Sequence, residues 1–114
     1  MSVLDKESID AVAITSDGVG IKLLISDHLV WTDEYEHLLL LQEKINGYIM
    51  FLENGQYKDV YKNIDFRYGV IEIHFMYEPT NKTKQFLQTV RNQISELGIR
   101  IEYNVSGGET CENK

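Results

Sequence analysis

The amino-acid sequence predicts an α+β two-layer sandwich, with elements in the order β-β-α-β-α-β and a four-stranded mixed sheet carrying two helices on one face. Three observations carry this reading. Alternating apolar residues, the period of a half-buried strand, recur near both ends of the chain and once in its middle. Two longer segments instead repeat apolar residues at three- and four-residue steps, the period of an amphipathic helix. Turn and stop residues (Asp17-Gly18, Asn54-Gly55, Pro79, Gly98) separate these segments.

The first strand is expected over Ile9–Thr15 and the second over Val19–Ile25, joined by Ser16-Asp17-Gly18 as a hairpin. A loop follows, and Thr32 or Asp33 is the expected N-cap of the first helix, Glu34–Glu53. Leu38, Leu41, Ile45, Tyr48, Ile49 and Leu52 form its apolar stripe. Asp33, Glu34 and Glu36 sit where the helix dipole favours negative charge, and Asn54-Gly55 closes the helix.

Gln56 to Arg67 reads as a long connection with a helical turn near Asp59–Lys62. The third strand is expected over Tyr68–Tyr77, with Ile71, Ile73, Phe75 and Tyr77 on one face and Pro79 as its stop. A second helix over Asn81–Leu97 turns Phe86, Leu87, Val90, Ile94 and Leu97 inward, and Gly98 ends it. Ile99–Val105 alternates strictly, as a strand with one wet face does. Residues 1–105 thus form a single domain, and the polar segment 106–114 is expected to be a disordered tail.

Right-handed strand-helix-strand crossovers place both helices on the same side of the sheet. Strand parity then assigns Val12, Ile14, Lys22, Leu24, Glu72, His74, Met76, Arg100, Glu102 and Asn104 to the opposite face. Lys22, Glu72, His74, Arg100 and Glu102 are its charged part, and Val12, Ile14, Leu24 and Met76 its apolar part. The charged residues are what a solvated face carries; the alternative, suggested by the apolar residues among them, is a recognition or dimer surface, which makes this face a candidate interaction surface.

Composition narrows the function classes. A hydrophobic fraction of 43% over 114 residues is that of a globular domain. The net charge of −7 argues against a sequence-independent grip on nucleic acid and favours solubility or a basic partner. No apolar run approaches the roughly 20 residues of a membrane span, and Met1–Glu7 lacks the basic and apolar parts of a signal peptide. The one cysteine, Cys111, can close no internal disulfide, so a cytoplasmic protein without membrane contact is expected.

The densest polar cluster runs from Ser26 to Asn46, where Asp27, His28, Trp31, Asp33, Glu34, Glu36 and His37 crowd a strand end and a helix start. His28 and His37 are nine residues apart across a loop-to-helix boundary, which matches no metal-ligand spacing. Glu36 and His37, as helix neighbours, face different ways. Cys111 is remote from any activating histidine, Gly18-Val19-Gly20 opens no helix, and the tyrosines are dispersed. The residues therefore assign no catalytic, cofactor-binding or metal position, and no cofactor. Asp27, His28, Trp31, Glu36 and His37 remain candidate interaction residues beside the sheet-face set.

The stretch Ser26-Asp27-His28-Leu29, Trp31, Glu36-His37-Leu38-Leu39-Leu40-Leu41-Gln42-Glu43-Lys44-Ile45-Asn46, followed by Tyr48, Phe51 and Glu53-Asn54-Gly55-Gln56, resembles a family of small bacterial proteins classed as domains of unknown function. A start like Ile9-Asp10-Ala11 and a last strand like Ile99–Tyr103 extend the likeness over most of residues 8–103. The resemblance implies a bacterial source and a similar α+β domain; it implies no activity and no site residues. The leading expectation is a non-enzymatic protein-binding or homodimeric module, in one version an immunity or antitoxin-type inhibitor of a basic toxin. The alternative is a small-ligand binder or enzyme using the Asp27-His28-Trp31 loop and the helix start.

Overall fold

A computed structural model of the chain describes residues 9–59, 61 and 66–105. The order of elements is the expected one: β1 (Ala11–Ile14), β2 (Gly20–Asp27), α1 (Glu34–Glu53), β3 (Tyr68–Phe75), α2 (Asn81–Ile94) and β4 (Ile99–Val105). Short 3-10 turns at Gln56–Asp59 and Ser95–Leu97 follow the two helices. The expected tail at 106–114 and most of the stretch 60–65 lie outside the described residues.

The sheet runs β1-β2-β3-β4, with β1 antiparallel to β2 and the other neighbours parallel. Both parallel links carry a helix, as the crossover connection of a parallel pair requires. Ile21, Leu23, Ile25, Ile71, Ile73, Phe75, Ile99 and Ile101 share one core with Leu41, Ile45, Tyr48, Leu87 and Ile94, so both helices cover the same face. Each such side chain, moved fully out of water, contributes about 1.5–3 kcal/mol.

Local chemistry sets the ends of the elements. The Asp33 side chain accepts from the Glu36 N–H at 3.2 Å and caps α1. Thr80 does the same for α2 through the Thr83 N–H at 3.2 Å. Between β1 and β2, the Asp17 carboxylate accepts from the Thr15 hydroxyl, the Val19 N–H and, at 2.6 Å, the Tyr68 hydroxyl. Tyr68 can lie across this turn because Gly20 faces it: a Cβ there would sit 2.5 Å from the tyrosine ring.

Three expectations are corrected. The register pairs Val12 with Leu23 and Ile14 with Ile21, so both turn toward the helices, and β1 presents Ala11 and Ala13 to the open face instead. The four residues between Thr15 and Gly20 set that register, and a shift of one residue exchanges the two faces of a strand. Leu97 is 48% exposed, because α2 tightens into a 3-10 turn at Ser95 and rotates it outward. β3 ends at Phe75, leaving Tyr77 exposed beyond the sheet. A 3-10 turn occupies Gln56–Asp59, and the helical turn expected near Asp59–Lys62 falls largely outside the described residues.

Candidate functional site

Of the residues expected at the strand-helix junction, the structure brings together Asp27, Trp31 and His37 and leaves His28 and Glu36 exposed. Asp27 ends β2 on the helix face, and His37 begins the buried stripe of α1. His37 Nε2 lies 2.6 and 2.8 Å from the two Asp27 carboxylate oxygens. Its Nδ1 lies 3.2 Å from the Val30 carbonyl oxygen. A ring proton on Nε2 makes the Asp27 contact a hydrogen bond, and one on Nδ1 does the same for the contact with the Val30 carbonyl.

The Trp31 ring covers this pair, stacked on His37 with centroids 3.5 Å apart and planes 15° apart. Trp31 also touches Phe75 and donates from Nε1 to the Tyr77 carbonyl at 3.4 Å. Asp27 accepts further from the Leu29 N–H, and its carbonyl from the Met76 N–H. The cluster therefore pins the 28–33 loop, the start of α1 and the end of β3 to one point. Its histidine is 3% exposed with both nitrogens engaged, which suits a structural tie better than a general base that must reach a substrate proton.

A second buried polar cluster went unread in the sequence. Lys44, 0% exposed, places Nζ 2.9 Å from Asp10 Oδ1 and over the Tyr48 ring. Asp10 Oδ2 accepts from the Ser26 N–H at 2.9 Å, and the Asp10 N–H donates to the Tyr48 hydroxyl at 2.9 Å. Tyr48 in turn donates to the Leu24 carbonyl. The available signal was position: Lys44 stands three residues after Leu41 and four before Tyr48, inside the stripe that should be apolar.

The open face gathers the other expected residues. Glu72 is its hub, 3.2 Å from Lys22 Nζ, 3.1 Å from His74 Nε2 and 3.2 Å from Asn104 Nδ2. Burial pushes the Glu72 carboxyl up, but the hydrogen bonds and charges of His74 and Lys22 outweigh it and hold the group below its ordinary value. Arg100 stacks 4.9 Å from the Tyr68 ring centre, and Glu102 is exposed in register with Glu72. Leu24 and Val70 supply the apolar part, Val70 being buried between Lys22 and Arg100 in the register.

Among the described residues, no group of three His, Cys, Asp or Glu side chains is placed to hold a metal ion. Nor is any helix of the described residues long and apolar enough to cross a membrane. Fold and surface together define a small acidic α+β sandwich with one covered and one uncovered sheet face. Residues 1–107 match the family of unknown function DUF6572, and the chain belongs to that family. No curated protein and no solved structure matches it.

Proposed function

We propose that this chain is a non-enzymatic protein-binding module, homodimeric, that meets other proteins through the open face of its sheet. The observation that carries the reading is the ordered polar hub on that face, Lys22, His74 and Asn104 around Glu72, beside Leu24 and Val70. Pre-set polar groups around a small apolar centre favour recognition by limiting the side-chain ordering that association costs. The net charge of −7 favours a basic partner and electrostatically steered capture, which is the immunity or antitoxin-type version of the reading. A cytoplasmic setting suits that version.

A photo-crosslinking residue at Leu24, compared in cell lysates of graded salt with one at Met50 on the far side of α1, tests this. Leu24 should give one discrete adduct with a basic polypeptide or with this chain, formed less efficiently as salt rises, and Met50 should give none. Equal patterns from the two positions, or none from Leu24, would defeat the proposal.

A further inference from the structure

We propose that two copies of this chain join through the outer edge of β4. The strands would run antiparallel about a twofold axis at Ile101, so that Arg100 of each copy faces the partner's Glu102. This deepens the homodimer part of the reading above and rests on it.

β4 ends the sheet, and among the described residues no strand lies beyond it. The Gly98 carbonyl accepts from the Gly69 N–H at 3.0 Å, which fixes the phase of the parallel ladder. Residues 98, 100, 102 and 104 therefore turn their backbone groups toward β3, while Ile99, Ile101 and Tyr103 turn theirs outward. The Ile101 carbonyl agrees: it faces away from β3 and accepts from Arg91 Nε at 3.3 Å and Nη2 at 3.1 Å. The outward groups are spaced as a further strand requires.

A twofold at Ile101 satisfies that edge with its own copy. Ile101 meets the partner's Ile101 in a pair that exchanges both N–H···O bonds, and Ile99 meets the partner's Tyr103 in the same way. Arg100 and the partner's Glu102 fall on the intervening non-hydrogen-bonded pair, where side chains of facing strands come closest. Both belong to the open face, so the two open faces become one surface.

The charges support this register independently. Glu102 stands directly opposite Glu72 across β3 and β4, a like-charge pair, and among the described residues no cation reaches it. Arg100 rests on the Tyr68 ring and has no carboxylate partner among the described residues. The twofold gives each the counter-charge it lacks, twice per dimer. A groove of about 310 Å³ already runs beside the edge, lined by Arg91, Ser95, Ile99, Arg100, Ile101 and Glu102. Arg91 closes the edge in the single chain; in the pair, the partner's Ile101 N–H takes over the carbonyl it holds.

Sedimentation equilibrium from about 10 μM to about 1 mM, the range of a small symmetric contact, reads the association. The expected limit is twice the 13.2 kDa chain mass. Glu102→Arg and Arg100→Glu each set like charges against each other at both pairs and should weaken dimerisation about tenfold or more. Mixed in equal amounts, the two variants complement each other and should recover wild-type association. Both positions are exposed, and thermal melts check that each variant is folded before its association is read. A chain that stays monomeric to 1 mM overturns both the register and the homodimer. A dimer indifferent to the two substitutions, or variants that fail to recover on mixing, overturns the register and leaves the homodimer standing.

Discussion

Replacing Lys44 with Met removes one charge from a pair that has almost no access to water. Lys44 is 0% exposed and the Asp10 side chain 4%. The variant keeps the volume and the apolar stem but leaves the Asp10 carboxylate buried, with the Ser26 N–H among its remaining partners. Breaking a buried pair from one side costs about 3–5 kcal/mol, a large share of the roughly 5–15 kcal/mol that holds such a domain together. At about 2.1 cal/mol/K per residue, 114 residues unfold with an entropy of about 0.24 kcal/mol/K, so the melting temperature should fall by about 12–20 °C. Circular dichroism melts and urea titrations of the wild type, Lys44→Met, Asp10→Asn and the double variant measure this. The double variant should lose less than the sum of the singles by more than about 1 kcal/mol. A loss below about 1 kcal/mol in Lys44→Met, or strict additivity, would refute the reasoning.

Two further predictions concern the polar ties. His37→Ala strands the buried Asp27 carboxylate and uncovers one face of Trp31, so about 3–5 kcal/mol should be lost, whereas exposed His28→Ala should stay within about 0.5 kcal/mol in the same urea titrations. Asp17 is held down from 3.8 to about 2, first by the Thr15 hydroxyl, then by the Tyr68 hydroxyl and the Val19 N–H. Its folded value lies below its unfolded one, so its contribution is present above about pH 4 and is lost as pH falls through about 2. A carboxyl carbon NMR titration should show that midpoint, moved upward by Thr15→Ala; an unmoved midpoint would remove the hydroxyl as the cause.

The bounds of α1 and β4 were legible because their signals are local. Asp33 caps the helix within three residues, Asn54-Gly55 ends it, and Ile99–Val105 alternates without a break. What escaped depends on distant partners. Lys44 is buried because Asp10, 34 positions earlier, meets it; its place in the apolar stripe marks the position, but the carboxylate that makes a charge tolerable there is remote in sequence. His37 is buried for the same reason, its carboxylate ten residues upstream. Of the five junction candidates, Asp27, Trp31 and His37 meet in space, while His28 and Glu36 are their neighbours in sequence and stay exposed. The faces of β2, β3 and β4 followed from parity. That of β1 did not, because the turn held by Asp17 fixes its register by one residue.

The brevity of β1 bears on how far such a sheet could grow. Its four residues ladder only with Ile21–Leu24, and the next outward N–H on β2, that of Ser26, is taken by the Asp10 carboxylate instead of a strand. A side chain in that position stops the ladder like a chain terminator. Joining at β4 would use the seven-residue edge of each copy, and among the described residues the opposite margin is the four-residue β1, so assembly would close at two. Filaments of stacked sheets need two mutually sticky margins per molecule. In this chain the residue that steadies the core against Lys44 also denies them one.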